Sequence, residues 1–201
     1  MDSLIDGYRR FRARRWPAER QLYESLAENQ KPKTFVISCC DSRVDPATIF
    51  NARPGELFVA RNVANLVPPF EQSGSYHGTS AAIEFAVTAV QVERILVLGH
   101  ARCGGVAAAL SKSDLTPGSF LSEWIKLLDT ALVRCENITE DRHTEVERES
   151  VRLSLERLRA FPFVAEAIRT RGLQLQGAHF GIIDGKLEWL DPVSGRFEVV
   201  D

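Results

Sequence analysis

Thr34-Phe-Val-Ile-Ser-Cys-Cys-Asp-Ser-Arg43 and Arg94-Ile-Leu-Val-Leu-Gly-His-Ala-Arg-Cys103 are the two stretches that decide the fold. Each opens on a short, nearly all-apolar run, Phe35 to Ser38 and Ile95 to Leu98, as expected for strands buried on both faces of a sheet. Each then switches abruptly to side chains that carry chemistry. A third run, Leu57 to Arg61, follows the Pro54-Gly55 turn. Between and after these runs the apolar spacing becomes helical. Thr79 to Val92 groups Ala82, Phe85, Ala86, Ala89 and Val90, Gly104 to Leu110 is a helix of small residues, and Phe120 to Val133 and Thr144 to Leu158 are amphipathic. Asp45-Pro46 has the form of a helix start, with Asp45 as N-cap and Pro46 at the first helical position. Leu173 to Asp184 and Leu187 to Leu190 form a terminal hairpin around Asp184-Gly185.

Strands alternating with helices predict a single α/β domain over residues 1–201, with a central, mainly parallel sheet flanked by helices and a C-terminal hairpin. Residues 1–30 are expected to form a helical arm of two short helices broken near Pro17, anchored by Tyr8, Phe11, Leu22, Tyr23 and Leu26, which packs on a neighbouring subunit. A chain of 201 residues supports one substantial core.

Composition excludes several classes of partner. Hydrophobic content of 44% and charged content of 26% are ordinary for a globular chain, and a net charge of −2 offers no general attraction to nucleic acid or to anionic membranes. No apolar run approaches the about 20 residues that span a bilayer. The N-terminal arginines sit among Asp2, Asp6 and Glu19 rather than in an acid-free targeting helix. Among Cys39, Cys40, Cys103 and Cys135, the adjacent pair and the His-x-x-Cys spacing point to reduced thiols and metal rather than disulfides, and a cytoplasmic address is expected from this.

Cys39, His100 and Cys103 supply two thiolates and one imidazole at the ends of two strands, three quarters of a tetrahedral zinc site. His100 and Cys103 are three apart at the start of a helix and so share a face. Sites in parallel sheets form where strands end and segments diverge. A fourth position is left open for chemistry, and Asp41 and Arg43 place a carboxylate and a guanidinium beside it, a set suited to activating water. Cys40 points the other way by strand alternation and is read as packing, as is Cys135. His77, His143 and His179 are read as surface or hydrogen-bonded histidines. Gly99-His100-Ala101-Arg102-Cys103-Gly104-Gly105 lacks both the Lys-Ser/Thr ending and the glycine spacing of nucleotide loops. A non-catalytic zinc staple would have no need of Asp41 and Arg43. A thiol redox role suffers because adjacent cysteines bridge poorly.

These residues resemble the β-class carbonic anhydrases, whose Cys-x-Asp-x-Arg and His-x-x-Cys stand here as Cys39-Cys40-Asp41-Ser42-Arg43 and His100-Ala101-Arg102-Cys103. Pro54-Gly-Glu-Leu-Phe-Val-Ala-Arg-Asn-Val-Ala-Asn65 and Ala81-Ala-Ile-Glu-Phe-Ala86 are similar to further family blocks. The resemblance runs from about Gln30 to Leu110. It implies zinc-dependent reversible hydration of carbon dioxide to bicarbonate and a proton through a zinc-bound hydroxide, in a homodimer or a dimer of dimers. It implies Zn²⁺ on Cys39, His100 and Cys103, and a catalytic dyad of Asp41 and Arg43. Gln30, Phe58, Val63, Phe85 and Gly104 fall where plant-type members line the substrate pocket, with Gln30 and Phe85 acting across the dimer interface. Phe85 departs from the tyrosine of plant-type members. Val36 and Phe180 stand where a tryptophan and a tyrosine of some bacterial members bind inhibitory bicarbonate, so that switch is not expected. A related reaction, hydrolysis of carbon disulfide or carbonyl sulfide, would use the same groups.

Overall fold

The computed structural model describes residues 3–73, 76–111 and 115–200. The chain runs through α1 (Ser3–Arg10), α2 (Trp16–Glu28), β1 (Thr34–Cys39), α3 (Pro46–Ile49), β2 (Leu57–Asn62), α4 (Gly78–Glu84), β3 (Arg94–His100), α5 (Gly104–Ser111), α6 (Phe120–Ile125), α7 (Asp129–Arg134), α8 (Arg142–Arg159), α9 (Pro162–Arg171), β4 (Gln174–Phe180), β5 (Leu187–Leu190) and β6 (Phe197–Val199). The strands form one sheet in the order β2-β1-β3-β4-β5-β6. β1 pairs in parallel with β2 and β3, and β3 with β4, while β5 and β6 add antiparallel edges. The expected mainly parallel sheet with a C-terminal hairpin is what forms.

Register places the chemistry. Phe35 pairs with Ile95 and Ser38 with Leu98, so Cys39 and His100 emerge side by side at the same ends of adjacent parallel strands. One face of the sheet, with Phe35, Ile37, Ile95 and Val97, packs on Val151, Leu155, Leu158 and Phe161 of α8 and the segment after it. The other face buries Val36, Leu96, Leu98 and Ala178 under Phe50 and Trp189. Phe180 joins that same apolar cluster with Val36. α8 sits unusually close to the sheet. A Cβ at Gly99 would lie 2.7 Å from Val151 Cγ2, and one at Gly177 would lie 2.7 Å from Val151 Cγ1. Both strands therefore carry glycine where this helix crosses them.

Four local features differ from the sequence reading. The arm does not break near Pro17: its backbone stays helical through a π turn at Phe11–Arg15, whose wide bond runs from Trp16 N–H to Phe11 O. Proline then stands at the start of α2, directly after this wide turn. The helix begun at Gly78 finishes as a π turn over Phe85–Val90 and stops at Gln91, whose φ is 60°. The segment from Phe120 to Arg134 is divided by a 3₁₀ turn at Lys126–Leu128. α9 and β6 had not been expected, although Pro162 opening α9 and Gly172 (φ 70°) closing it are the usual punctuation of a helix. At Asp45 the reading holds, since its carboxylate accepts from Thr48 N–H at 3.0 Å and caps α3.

The arm has no buried residue in α1, the π turn or α2. Phe11, Trp16 and Tyr23 pack on one another with ring centroids 5.1–6.2 Å apart. Leu26 lies over Gly55, where φ is 88° and a Cβ would meet the leucine methyls at 2.5 and 2.9 Å.

Candidate metal centre

Cys39 ends β1, His100 ends β3, and Cys103 immediately precedes α5. Their ligand atoms all lie within 4.8 Å of one another, and the three residues are 5%, 1% and 1% exposed. Among the described residues this is the sole such grouping of histidine, cysteine and acidic side chains. His100 Nδ1 lies 2.9 Å from Ala101 O. A carbonyl only accepts, so the ring proton sits on Nδ1 and Nε2 keeps a free lone pair. That buried Nε2 has no hydrogen-bond partner. An orphaned imidazole nitrogen aimed into a pair of buried sulfurs fits a soft metal ion.

The two sulfurs lie within 4.8 Å of each other, so that a proton kept on one favours the thiolate of the other. The neighbouring Cys103 draws the Cys39 thiol well below its usual value against the effect of burial, and His100 and the amides of Asp41 and Ala64 assist. The same pairing, together with burial, pushes Cys103 far up, while the Gly105 and Val106 amides at the start of α5 pull the other way. A dication between the sulfurs would take the place of that proton and let both ionise.

Asp41 stands beside this group, held by Arg43 rather than joined to the three ligand atoms. Arg43 Nε donates to Asp41 Oδ1 at 2.9 Å and Nη2 to Oδ2 at 2.6 Å, a forked pair, and the Arg43 amide adds a bond to Oδ1 at 3.0 Å. These contacts hold the Asp41 carboxyl well below the usual carboxylate range. Arg43 Nη2 also donates to Arg102 O at 3.2 Å, which ties the dyad to the loop that carries the other two ligands.

Several positioning residues had not been singled out from sequence. Arg61 donates to Cys39 O at 2.8 Å and to Asp41 O at 2.7 Å, fixing the chain on both sides of Cys40. Asn62 brackets Leu66, accepting from its N–H and donating to its carbonyl at 2.8 Å each. The turn between them is strained, with Ala64 at φ 64° and Asn65 at φ 50°. Left-handed backbone costs a non-glycine residue about 1 to 2 kcal/mol. Trp124 Nε1 donates to Val63 O at 2.8 Å across this turn. A Cβ at Gly105 would meet Ala64 Cβ at 2.9 Å, so glycine lets α5 approach.

Val63 lines an apolar cavity of about 680 Å³ with Cys40, Asn62, Phe120, Leu121 and Trp124. Cys40 is therefore exposed on a cavity wall and not packed inside, because the strand ends at Cys39 and alternation no longer governs it. Phe58 and Phe85 stack with centroids 5.8 Å apart, and Phe85 is 49% exposed. Gln30 lines a separate recess with Lys31, Ala89, Val90, Gln91 and Glu93. Within one chain, neither Gln30 nor the Phe58–Phe85 stack lines the Val63 cavity. Gly104 is the exposed first residue of α5. Cys135 is buried in the apolar cluster that also contains Cys39 and Cys103. His179 is buried and hydrogen-bonded, and His77 bonds Ser73 O at 3.0 Å.

A family model described as carbonic anhydrase matches residues 34–187. Beta carbonic anhydrase 3 of Arabidopsis thaliana is 35% identical over 196 residues, an alignment that covers 94% of this chain and 76% of that one. The chain belongs to the β-class carbonic anhydrases. Solved members share its architecture. The β-carbonic anhydrase CcaA superposes with a TM-score of 0.92 at 29% identity, covering 99% of this chain and 91% of that one. A tetrameric β-carbonic anhydrase of the filamentous ascomycete Sordaria macrospora does so at 0.83 and 31% identity, covering 94% and 95%. A β-carbonic anhydrase is thus the frame in which the Cys39, His100 and Cys103 cluster is to be understood.

Proposed function

We propose that this carbonic anhydrase hydrates carbon dioxide reversibly to bicarbonate and a proton, with Cys39, His100 and Cys103 holding a zinc ion. The observation that carries the reading is the orphaned His100 Nε2 facing two buried sulfurs, next to a carboxylate locked in a fork by arginine. When bound there, zinc supplies Lewis acidity that brings the pKa of water toward neutrality. The two thiolates offset the formal charge of the dication, so the rate should reach half its maximum at a pH above about 7, the value seen with three neutral histidines.

Asp41, kept ionised and oriented by Arg43, serves as the acceptor that directs the attacking lone pair toward carbon dioxide. Val63, Phe58 and Phe85 offer apolar walls to an apolar substrate. Gln30 and the Gly104 N–H steady its oxygens as negative charge develops. In this reading Gln30 and Phe85, with Phe58 stacked on Phe85, serve a neighbouring subunit in a homodimer or a dimer of dimers. Support comes from the arm, none of whose residues is fully buried in its own chain, and from Tyr76 and Phe120, which stand almost fully exposed around the Val63 cavity. A sedimenting mass equal to one 22.5 kDa chain at micromolar concentration would sink the shared-site reading.

A cytoplasmic address belongs to the same proposal, because the metal reading needs Cys39 and Cys103 as reduced thiols. Among the described residues no helix is long and apolar enough to cross a membrane.

The direct test is stopped-flow hydration of carbon dioxide across pH, on protein of measured zinc content. Turnover should scale with zinc and rise with pH. A zinc-replete chain inactive at every pH would refute the assignment and send the same site to carbon disulfide as the next substrate.

A further inference from the structure

Glu147 is a carboxylate 1% exposed, on α8, with no part in the chemistry described so far. Both carboxylate oxygens have polar partners. Oε1 accepts from the Cys103 amide at 2.8 Å and meets His143 Nδ1 at 2.8 Å, and Oε2 meets His179 Nε2 at 3.1 Å. His179 Nδ1 lies 3.2 Å from Glu188 Oε2, and Arg148 holds Glu188 at 2.6 Å. A buried carboxylate is retained only when its surroundings satisfy it, and here two histidines do so. What the carboxylate gives in return is one bond to the backbone of Cys103.

That backbone needs holding. Arg102 has φ 56°, a left-handed conformation in a residue with a side chain. The turn it makes is pinned at three points: Ala101 N–H on Phe180 O at 2.9 Å, Arg102 O under Arg43 Nη2 at 3.2 Å, and Cys103 N–H on Glu147. The close seat of α8 on Gly99 and Gly177 is what brings Glu147 within reach.

Building on the metal assignment above, we propose that Glu147 is a positioning residue for the zinc site: its carboxylate, braced by His143 and His179, fixes the Ala101–Cys103 turn so that the Cys103 sulfur is preset for the ion. Partners that orient a metal ligand commonly carry about 10- to 100-fold in affinity.

The test is the rate at which zinc passes from the folded protein to an excess of coloured chelator. Glu147→Leu removes the acceptor and should speed zinc loss about tenfold or more. Glu147→Gln keeps a carbonyl for the Cys103 amide and should release zinc within a few-fold of wild type, a rescue that general weakening of the fold would not produce. If the leucine variant does not fold, Glu147→Asp withdraws the acceptor by one methylene while keeping the charge, and its zinc loss should also be faster than wild type. Leucine or aspartate variants that fold and release zinc at the wild-type rate overturn the proposal, as does a glutamine variant as leaky as the leucine one. A wild-type chain that takes up no zinc overturns the metal assignment itself.

Discussion

Asp41→Asn is expected to keep its full complement of zinc while losing carbon dioxide hydration by roughly 100-fold or more, the scale at which loss of one preorganised hydrogen-bond partner slows a reaction. Zinc stays because Asp41 is not among the three clustered ligands. Turnover falls for two reasons. Asparagine has a single acceptor oxygen, and Arg43 presents three donors to the present carboxylate, its own amide, Nε and Nη2. One of those donors would face the new amide NH₂, donor against donor, and the side chain must turn away from the fork. The amide NH₂ can also turn a donor to the attacking water where the carboxylate offers only acceptors. The pH dependence of the wild type follows from the same contacts. Because Arg43 lowers the Asp41 pKa, the carboxylate remains ionised through the region near pH 4 where a free aspartate protonates. The stability contributed by the pair is present above the unfolded value of about 3.9 and disappears only as pH falls through the lower folded value. Loss of activity between about pH 7 and 5 would therefore not be the protonation of Asp41. Stopped-flow rates and zinc content of the variant, measured together, check the claim, and wild-type turnover in Asp41→Asn would refute the role given to this residue.

The metal cluster was legible in sequence because it consists of rare residue types placed where apolar runs end. A strand buried on both faces leaves no other position for a cysteine or histidine to meet its neighbours across the sheet. The dyad was legible for a related reason: Asp41 and Arg43 are two residues apart in a turn, and short turns bring such side chains together without tertiary help. Glu147 was hidden by its surroundings in sequence, Glu145 to Arg152, which read as the charged face of an amphipathic helix. Its spacing with Val151, Ser154 and Leu158 nevertheless sets it on the buried stripe, and a lone acid there was the available signal. Trp124 and Arg61 act on carbonyls distant in sequence, and no local pattern announces a bond between an indole and Val63 O. The π turns at Phe11–Arg15 and Phe85–Val90 keep the dihedral signs of a helix, so apolar periodicity cannot distinguish them. β6 has three residues and one half-buried side chain, too short for alternation to register.

Cys103→Ser should have the larger effect on the molecule as a whole, since it couples metal to fold. Cys103 is 1% exposed, its sulfur faces the other two ligands, and the Gly105 and Val106 amides at the head of α5 point toward it. A serine hydroxyl occupies less space, stays protonated at neutral pH, and is a poor ligand for zinc. The substitution also leaves His100 Nε2 and the Cys39 sulfur buried without the ion that would satisfy them, beside the strained turns at Ala64 and Arg102. Zinc content should drop to background and activity with it. Stability should fall as well, because an ion present at 100 times its dissociation constant stabilises the folded state by about 2.7 kcal/mol and that linkage disappears with the site. Thermal unfolding separates this from simple core damage. Chelator should lower the midpoint of the wild type toward that of the variant, and added zinc should raise the wild type alone. A variant whose midpoint still responds to zinc would mean that Cys39 and His100 hold the ion without Cys103. An equal loss of midpoint in wild type and variant on chelation would place the stabilising metal somewhere other than this cluster.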